Sequence, residues 1–447
     1  MKTKLYKVIL IVIFILPFFY EYFTVLPVAF KWLNDIVIFV FGFLYFKSNF
    51  KYLNKIMNRK MIHLRGLIIY TILSTVFLLI SSLLNYCPFI LLLLTLKKTF
   101  VPLILYLIIL IEISKNNFSN IYDLYKKIFV VQLVLIPIEY LYFLEPSIRK
   151  YLVDSLAINE LDIACGTLGA GQTGILGMIL VCFFLFTLFT KQFFKSLLCA
   201  IPLIFINSGG AVILFCIVYL LFILLGGVSV KKRLKILIAT LIIVPILFEY
   251  STDLLGYDLI DRYQRSYLGY YDNIVENKAT WAGENETADK LDRIAGYFYV
   301  LDQFNAPMEV VFGLSPQKLA NSKTLGIKSS GIGEGVTDIK NDFLYILIEK
   351  GFVGIIVLYG LIILMIFNSY SKMRNRALRL KKVGLFNLIF ALALLIMSFY
   401  VRMIYHYQLI AVIVTFMAFF DSIYYRAHIN VKTKKMLAQY DFKPVIK

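Results

Sequence analysis

Apolar residues arrive in long continuous runs, without the alternating or one-sided patterns of a soluble fold. Leu67 to Leu84, Val130 to Leu144, Thr173 to Thr190, Ala211 to Leu225, Ile355 to Phe367 and Ala411 to Phe420 are close to uninterrupted. A bilayer hydrocarbon core of roughly 30 Å takes about 20 apolar residues of helix, so runs of this kind predict membrane spans. A β-barrel would alternate polar and apolar positions. Closed helical backbone is the economical way to cross repeatedly, because each amide is satisfied within its own segment. The expected fold is therefore all-α: a polytopic integral membrane protein of about 12 transmembrane helices. The spans fall near 5–23, 28–46, 66–84, 89–113, 128–144, 166–190, 194–207, 211–227, 236–250, 342–367, 384–401 and 408–424.

Two of these boundaries come from parity. A break at Asn207-Ser208-Gly209-Gly210 keeps Lys231, Lys232, Arg233 and Lys235 on the inner side. The run from 86 to 113 must cross once yet is longer than the hydrocarbon layer. Its first part, Pro88 to Leu96, is expected to dip into the outer interface or lie along it, leaving Lys97 and Lys98 in the outer half of the membrane. The organisation that follows is spans one to nine in 1–249, a large periplasmic or extracellular loop at 250–341, spans ten to twelve in 342–424 and a basic cytoplasmic tail at 425–447. The loop, with a helix expected over Ala288 to Phe304, reads as a compact lid on the bundle.

Composition agrees with this class. Of 447 residues 60% are hydrophobic and only 16% charged, with a mean hydropathy of +0.80. A net charge of +19 raises the question of nucleic acid, and its distribution answers it. Residues 1–7, 47–65, 114–127, 191–196, 228–235, 369–383 and the tail hold 30 Lys and Arg against two acids, Asp123 and Asp441. Residues 145–164 and 250–341 hold 11 basic and 17 acidic residues. That is the positive-inside bias, so both termini are expected in the cytoplasm and no nucleic-acid partner is expected. The N-terminal run lacks a small-residue cleavage site and is read as a retained first span.

Cys87, Cys165, Cys182, Cys199 and Cys216 make no metal spacing, and there are three histidines, so neither a protein-built metal site nor a cofactor is expected. No Walker loop, HExxH or GxSxG pattern occurs, and Gly331-Ile332-Gly333-Glu334-Gly335 lacks the strand and helix of a nucleotide fingerprint. What remains is a set of ionisable residues on one side: Lys97, Lys98, Arg149, Arg262, Arg265, Arg293 and Arg402, with Glu334, Asp338, Asp342 and His406. Charges in or beside a membrane mark substrate paths.

Three segments, in order, resemble the O-antigen polymerase and O-antigen ligase superfamily of bacterial envelope glycosyltransferases. Gly166-Thr167-Leu168-Gly169-Ala170-Gly171 before the span at Thr173 is similar to the family's Gly-Thr/Ser-Phe-Gly stretch. Asp292-Arg293, then Tyr297 to Phe304, Pro307 and Phe312-Gly313-Leu314-Ser315, resembles its loop Arg, helix and Phe-Gly-x-Gly/Ser turn. Asn341-Asp342-Phe343-Leu344-Tyr345 with Glu349-Lys350-Gly351-Phe352-Val353-Gly354 resembles its entry into the span after the loop. Ligases of the family usually carry His-Asn at the loop exit and a Ser-Arg pair at the outer break between spans seven and eight. Here Lys340 precedes Asn341 and the pair is Ser208-Gly209, which favours a repeat-unit polymerase.

The resemblance implies a protein of the bacterial plasma (inner) membrane that builds O-antigen or capsule. It would transfer a glycan from an undecaprenyl-diphosphate donor to a lipid-linked acceptor on the outer face, with chain-length regulator and flippase proteins as partners. An O-antigen ligase or a lipid-linked oligosaccharide flippase is the alternative. The leaving diphosphate needs fixed cations, for which Arg293 comes first, Arg265 and Arg262 next, then Arg402, Lys97 and Lys98. Asp338, Asp342 or His406 would be the base for the acceptor hydroxyl. Structural roles stand beside these. Arg262 and Arg265 have Asp258 and Asp261 as neighbours and Arg293 has Asp289, while Lys97 and Lys98 can reach headgroups. Asp338 and Glu334 suit a loop surface, and Asp342 suits a helix cap. Arg402 and His406, four apart, suit pairing on one helical face, and Gly351 and Gly354 suit close helix packing.

Overall fold

The computed structural model describes residues 5–22, 32–59, 61–115, 118–143, 166–168, 173–189, 199, 202–203, 209–225, 300–301, 303–319, 341–374, 378–399 and 401–430. Regular structure among them is entirely helical. The helices are α1 (Leu5–Tyr22), α2 (Leu33–Ser48, with a π-helical stretch at Val37–Phe41), α3 (Phe50–Met57), α4 (Ile62–Leu84), α5 (Phe89–Ser114) and α6 (Phe118–Phe143). They continue as α7 (Thr173–Phe189), α8 (Gly209–Leu225), α9 (Pro307–Phe312), α10 (Asp342–Met373), α11 (Leu378–Ser398) and α12 (Tyr407–Asn430). Short 3-10 turns occupy Gly166–Leu168, Pro316–Lys318 and Met403–Tyr405.

Five of these helices, α4, α5, α10, α11 and α12, are long and apolar enough to cross a membrane, and α2 with α3 forms a sixth candidate bent by 89°. This is the architecture of a membrane-embedded protein. The expected spans at 66–84, 89–113, 342–367, 384–401 and 408–424 each coincide with one of the five. The expected spans at 194–207 and 236–250 lie wholly or mainly outside the described residues, as do most of 250–341 and most of the helix expected over Ala288 to Phe304. One expectation changes: Pro88 to Leu96 is not a separate piece beside the span. Phe89–Ser114 is one continuous helix of 26 residues, about 39 Å long, which carries Pro102 without a break.

The core is one cluster in which α5 packs between α4 and α12, and α10 packs on α4 and α11. At one end of this bundle the cations collect. Arg59 lies 4.3 Å from the ring centre of Tyr425 and donates to Ser114 Oγ, Arg426 donates to the Ile113 carbonyl at 3.0 Å, and Lys372 approaches the Tyr424 ring. The two acids buried toward this end are held by the protein's own donors. Glu112 accepts from Tyr45 Oη and, at 2.8 Å, from Lys115. Asp421 of α12 accepts from the backbone amides of His63 and Leu64 (3.3 and 3.0 Å), from Tyr106 Oη (2.6 Å) and from the His63 ring (2.8 Å). Those two amides belong to the first turn of α4, where free N–H groups and the helix dipole favour an anion. Asp421 thus caps α4 from another helix and joins α4, α5 and α12.

Removing Asp421 leaves two amides, a phenol and an imidazole without their acceptor in a dry interior, a loss of roughly 3–5 kcal/mol. Asp421→Ala is expected to lower the melting temperature of the detergent-solubilised protein sharply, and Asp421→Asn by less, since an amide oxygen still accepts. An unchanged melting curve for Asp421→Ala would show that the cap does not hold the bundle together.

Candidate functional site

At the opposite end, α10 is interrupted. Asn341 caps its N-terminus, its side-chain oxygen accepting from the Leu344 amide at 2.9 Å. Ten residues on, Gly351 takes φ +66° and ψ −163°, outside the helical region and open to glycine. The break frees backbone groups that a helix in lipid would have to satisfy. The turn after α9 meets that need: the Leu314 amide donates to the Ile348 carbonyl at 2.6 Å, and Gly313, at φ +87°, sits against Gly351. A Cβ on Gly313 would stand 2.6 Å from the Gly351 nitrogen, and a Cβ on Gly351 would collide with the Val311 carbonyl. Asn85, at the end of α4, locks the turn by donating to the Gly313 carbonyl at 3.2 Å. Gly351 therefore packs closely, as its sequence suggests, but against a turn that enters a helix break.

The break places Glu349 and Lys350, both buried, at the end of the half-helix. Lys350 donates to Ser74 Oγ of α4 at 2.9 Å. The same half-helix carries Asp342, whose two oxygens accept the Met403 and Ile404 amides at 3.0 and 3.3 Å, while its own amide donates to the Val401 carbonyl. Asp342 accordingly ties α10 to the segment between α11 and α12. The helix cap is Asn341 and not Asp342, whose two oxygens each accept one backbone amide.

That tether positions Arg402 and His406. They do not share a helical face as their spacing suggested, because they flank the 3-10 turn at Met403–Tyr405. Arg402 lies 5.6 Å from the Tyr345 ring centre. Lys98 of α5 is within electrostatic range of Arg402, Glu349, Lys97 and Asp35. Lys97, one position earlier and so rotated about 100° around α5, forms an ion pair with Asp35 of α2 and lies over the Trp32 ring at 4.5 Å. Tyr407 Oη donates to the other Asp35 oxygen. Burial, with Arg402 and Lys98 close by, pushes the His406 imidazole down to about 3, so the ring is neutral at physiological pH.

Four segments distant in sequence thus bring Lys97, Lys98, Arg402 and His406 together, with Asp342 as their anchor. Asp338, Arg262, Arg265 and Arg293 lie outside the described residues. The structure adds Asp35 and Tyr407, and it brings in Glu349 and Lys350, which the motif carried without a role. Their signal was an ionisable residue inside an apolar run, as at Asp35 and at Glu349-Lys350.

This layer has a definite level. Seventeen residues of helix separate Lys98 from Lys115, roughly 26 Å, and 22 separate Lys350 from Lys372, roughly 33 Å. With a hydrocarbon core of roughly 30 Å beginning at the basic end, the polar layer sits near its far boundary. A separate cavity of about 220 Å³ between α6, α7 and α12 is lined mainly by aromatic and aliphatic side chains such as Phe129, Phe183, Phe186 and Phe416. It has little to offer a charged substrate. No protein-family model matches the chain, and no curated protein matches it in sequence.

The helix break gives an internal control. Gly351→Ala forces a side chain into positive φ and onto the Val311 backbone, at a cost of at least about 1–3 kcal/mol. Gly360→Ala, in the same helix with nothing within 4 Å of the new methyl, is expected to be neutral or slightly stabilising. Melting of the two purified variants checks this; equal stability would contradict the interlocked break.

Proposed function

We propose that the protein is a polymerase of lipid-linked oligosaccharide repeat units, a glycosyltransferase that works at the membrane boundary opposite its basic end. The observation that carries this reading is the convergence of Lys98 and Arg402 on the neutral His406 at that boundary. The resemblance of the three sequence segments to the O-antigen polymerase and ligase superfamily supplies the reaction. The positive-inside rule makes the basic end cytoplasmic and the polar layer external.

The donor carries a diphosphate between its lipid and its glycan, and negative charge builds on the leaving oxygen as the glycosidic bond breaks. Cations already in place stabilise that charge without reorganising. Lys98 and Arg402 would fill this role, with Lys97 beside them paired to Asp35. Arg293, with Arg265 and Arg262, would complete the clamp from the loop. Burial first, and the same two cations after it, lower the basicity of His406, and a diphosphate bound between them would offset the cations' part. His406 is then more basic with the donor present, and it stands with Asp338 and Asp342 as a candidate base for the acceptor's hydroxyl proton.

A flippase would need a cation-lined passage through the bundle. Among the described residues, Glu112 and Asp421 in the basic half are instead held by internal donors, which supports a site confined to one boundary.

Polysaccharide gels at matched membrane abundance test the reading. Deleting the gene should remove the polymer ladder while leaving a single repeat attached to its carrier. Lys98→Ala, Arg402→Ala and Arg293→Ala should each reduce polymer by roughly 10²- to 10³-fold, and Arg402→Lys should recover only part, having lost the planar fork. An intact ladder stranded on the lipid carrier in the deletion strain would make the protein a ligase. Normal ladders in both Lys98→Ala and Arg402→Ala would remove the site.

A further inference from the structure

The hydrophilic stretch between α8 and α10 returns to the bundle through residues 303–319, and this segment has the properties of a lipid contact. α9 has no buried residue. Met308, Val310 and Val311 are exposed, and so is Leu301 just before it. Exposed apolar side chains at this density suit hydrocarbon, not water. The backbone supports the same conclusion. Pro307 at the first helical position has no amide to satisfy, and Glu309 Oε2 accepts the Asn305 and Ala306 amides at 2.7 and 3.2 Å. At the other end the Gly313 amide donates to the Glu309 carbonyl, the Leu314 amide to Ile348, and Asn85 covers the Gly313 carbonyl. A short helix whose terminal groups are closed by the protein can lie where water is scarce.

Its level follows from its anchor. Gly313 packs on Gly351, which stands near the far edge of the hydrocarbon layer by its distance from Lys372. The neighbouring surface is also apolar and exposed: Leu83 in the last turn of α4, Tyr86 just after it, Phe89 at the start of α5 and Phe352 beside the break. These positions are continuous with the faces of α4, α5 and α10 that a bilayer must cover, and Tyr86 and Phe89 sit where aromatic side chains concentrate in membrane proteins.

We infer that residues 306–312 form an interfacial segment whose occupant is the acyl chains of the bilayer leaflet at the polar-layer end, so that the loop is stapled to the membrane and into α10 at one point. Lys350 and Glu349 owe their level to this staple. The placement is independent of the chemistry proposed for the site.

Spin labels on Met308→Cys and Val311→Cys in the full-length protein, reconstituted in nanodiscs of phosphatidylcholine and phosphatidylglycerol, measure it directly. Collisions with oxygen should exceed those with a water-soluble nickel chelate several-fold at both positions. A label on Lys55→Cys, exposed beside the basic end, should show the reverse. Met308→Trp in lipids brominated along the chain gives a second readout, with more than half of that residue's emission quenched. Chelate collisions equal to or above oxygen at either labelled position, or no bromine quenching at Met308→Trp, would place the segment in water and overturn the inference.

Discussion

The interaction on which the rest of this site depends is the hydrogen bond from the Leu314 amide to the Ile348 carbonyl, across the break at Gly351. A helix interrupted near a membrane boundary must find partners for its freed backbone groups, and in lipid only protein can supply them. Here the partner is a turn reached only after a long hydrophilic stretch. Its approach is so close that glycine is required on both sides. Once the turn is seated, the first half of α10 is fixed independently of the second. Asp342 then faces the Met403 and Ile404 amides, Tyr345 lies near Arg402, and Lys350 reaches Ser74.

The two ends of the bundle use buried charge differently. Toward the basic end, among the described residues, buried acids are held by the protein's own donors: Asp421 by two amides, a phenol and an imidazole, Glu112 by Tyr45 and Lys115. Groups so satisfied join helices and are poorly placed for chemistry, because any rearrangement strands a donor in an apolar interior. At the other end several cations crowd one layer, and the nearest imidazole is held neutral by burial and by their field. Lys98 and Arg402 stand there beside Glu349, Asp35 and Asp342, a concentration of buried charge of both signs. Such sets belong to binding sites more than to scaffolds.

Much of the architecture was legible in the apolar runs. The spans ending near Leu84, starting at Phe89 and Asp342, and closing at Ser398 and Arg426 follow from run length and flanking cations, since bilayer thickness and helix rise leave little freedom. Local geometry was harder. Pro88 to Leu96 looked separable because helix length was compared with the hydrocarbon alone, whereas α5 continues beyond it as a buried and interfacial helix. Gly351 read as a packing glycine because sequence does not distinguish an approaching helix from an approaching turn. Arg402 and His406 read as helical neighbours because the 3-10 turn between them is set by Asp342, which is 60 residues away from Arg402 in sequence. Lys98, Arg402 and His406 were identifiable as types, being charges beside a membrane. The pairing of Lys97 with Asp35 was not, since no local pattern links α2 to α5.

The central claim is that a lipid-linked diphosphate binds between Lys98 and Arg402 at the boundary opposite the basic end. A high-resolution cryo-electron microscopy map of the full-length protein in nanodiscs, with undecaprenyl-diphosphate-linked repeat unit added, tests it most directly. The account predicts phosphate density within hydrogen-bond distance of Lys98 and Arg402, with the glycan directed toward His406. Diphosphate density elsewhere on the protein, with those two side chains unchanged from the ligand-free map, would contradict it.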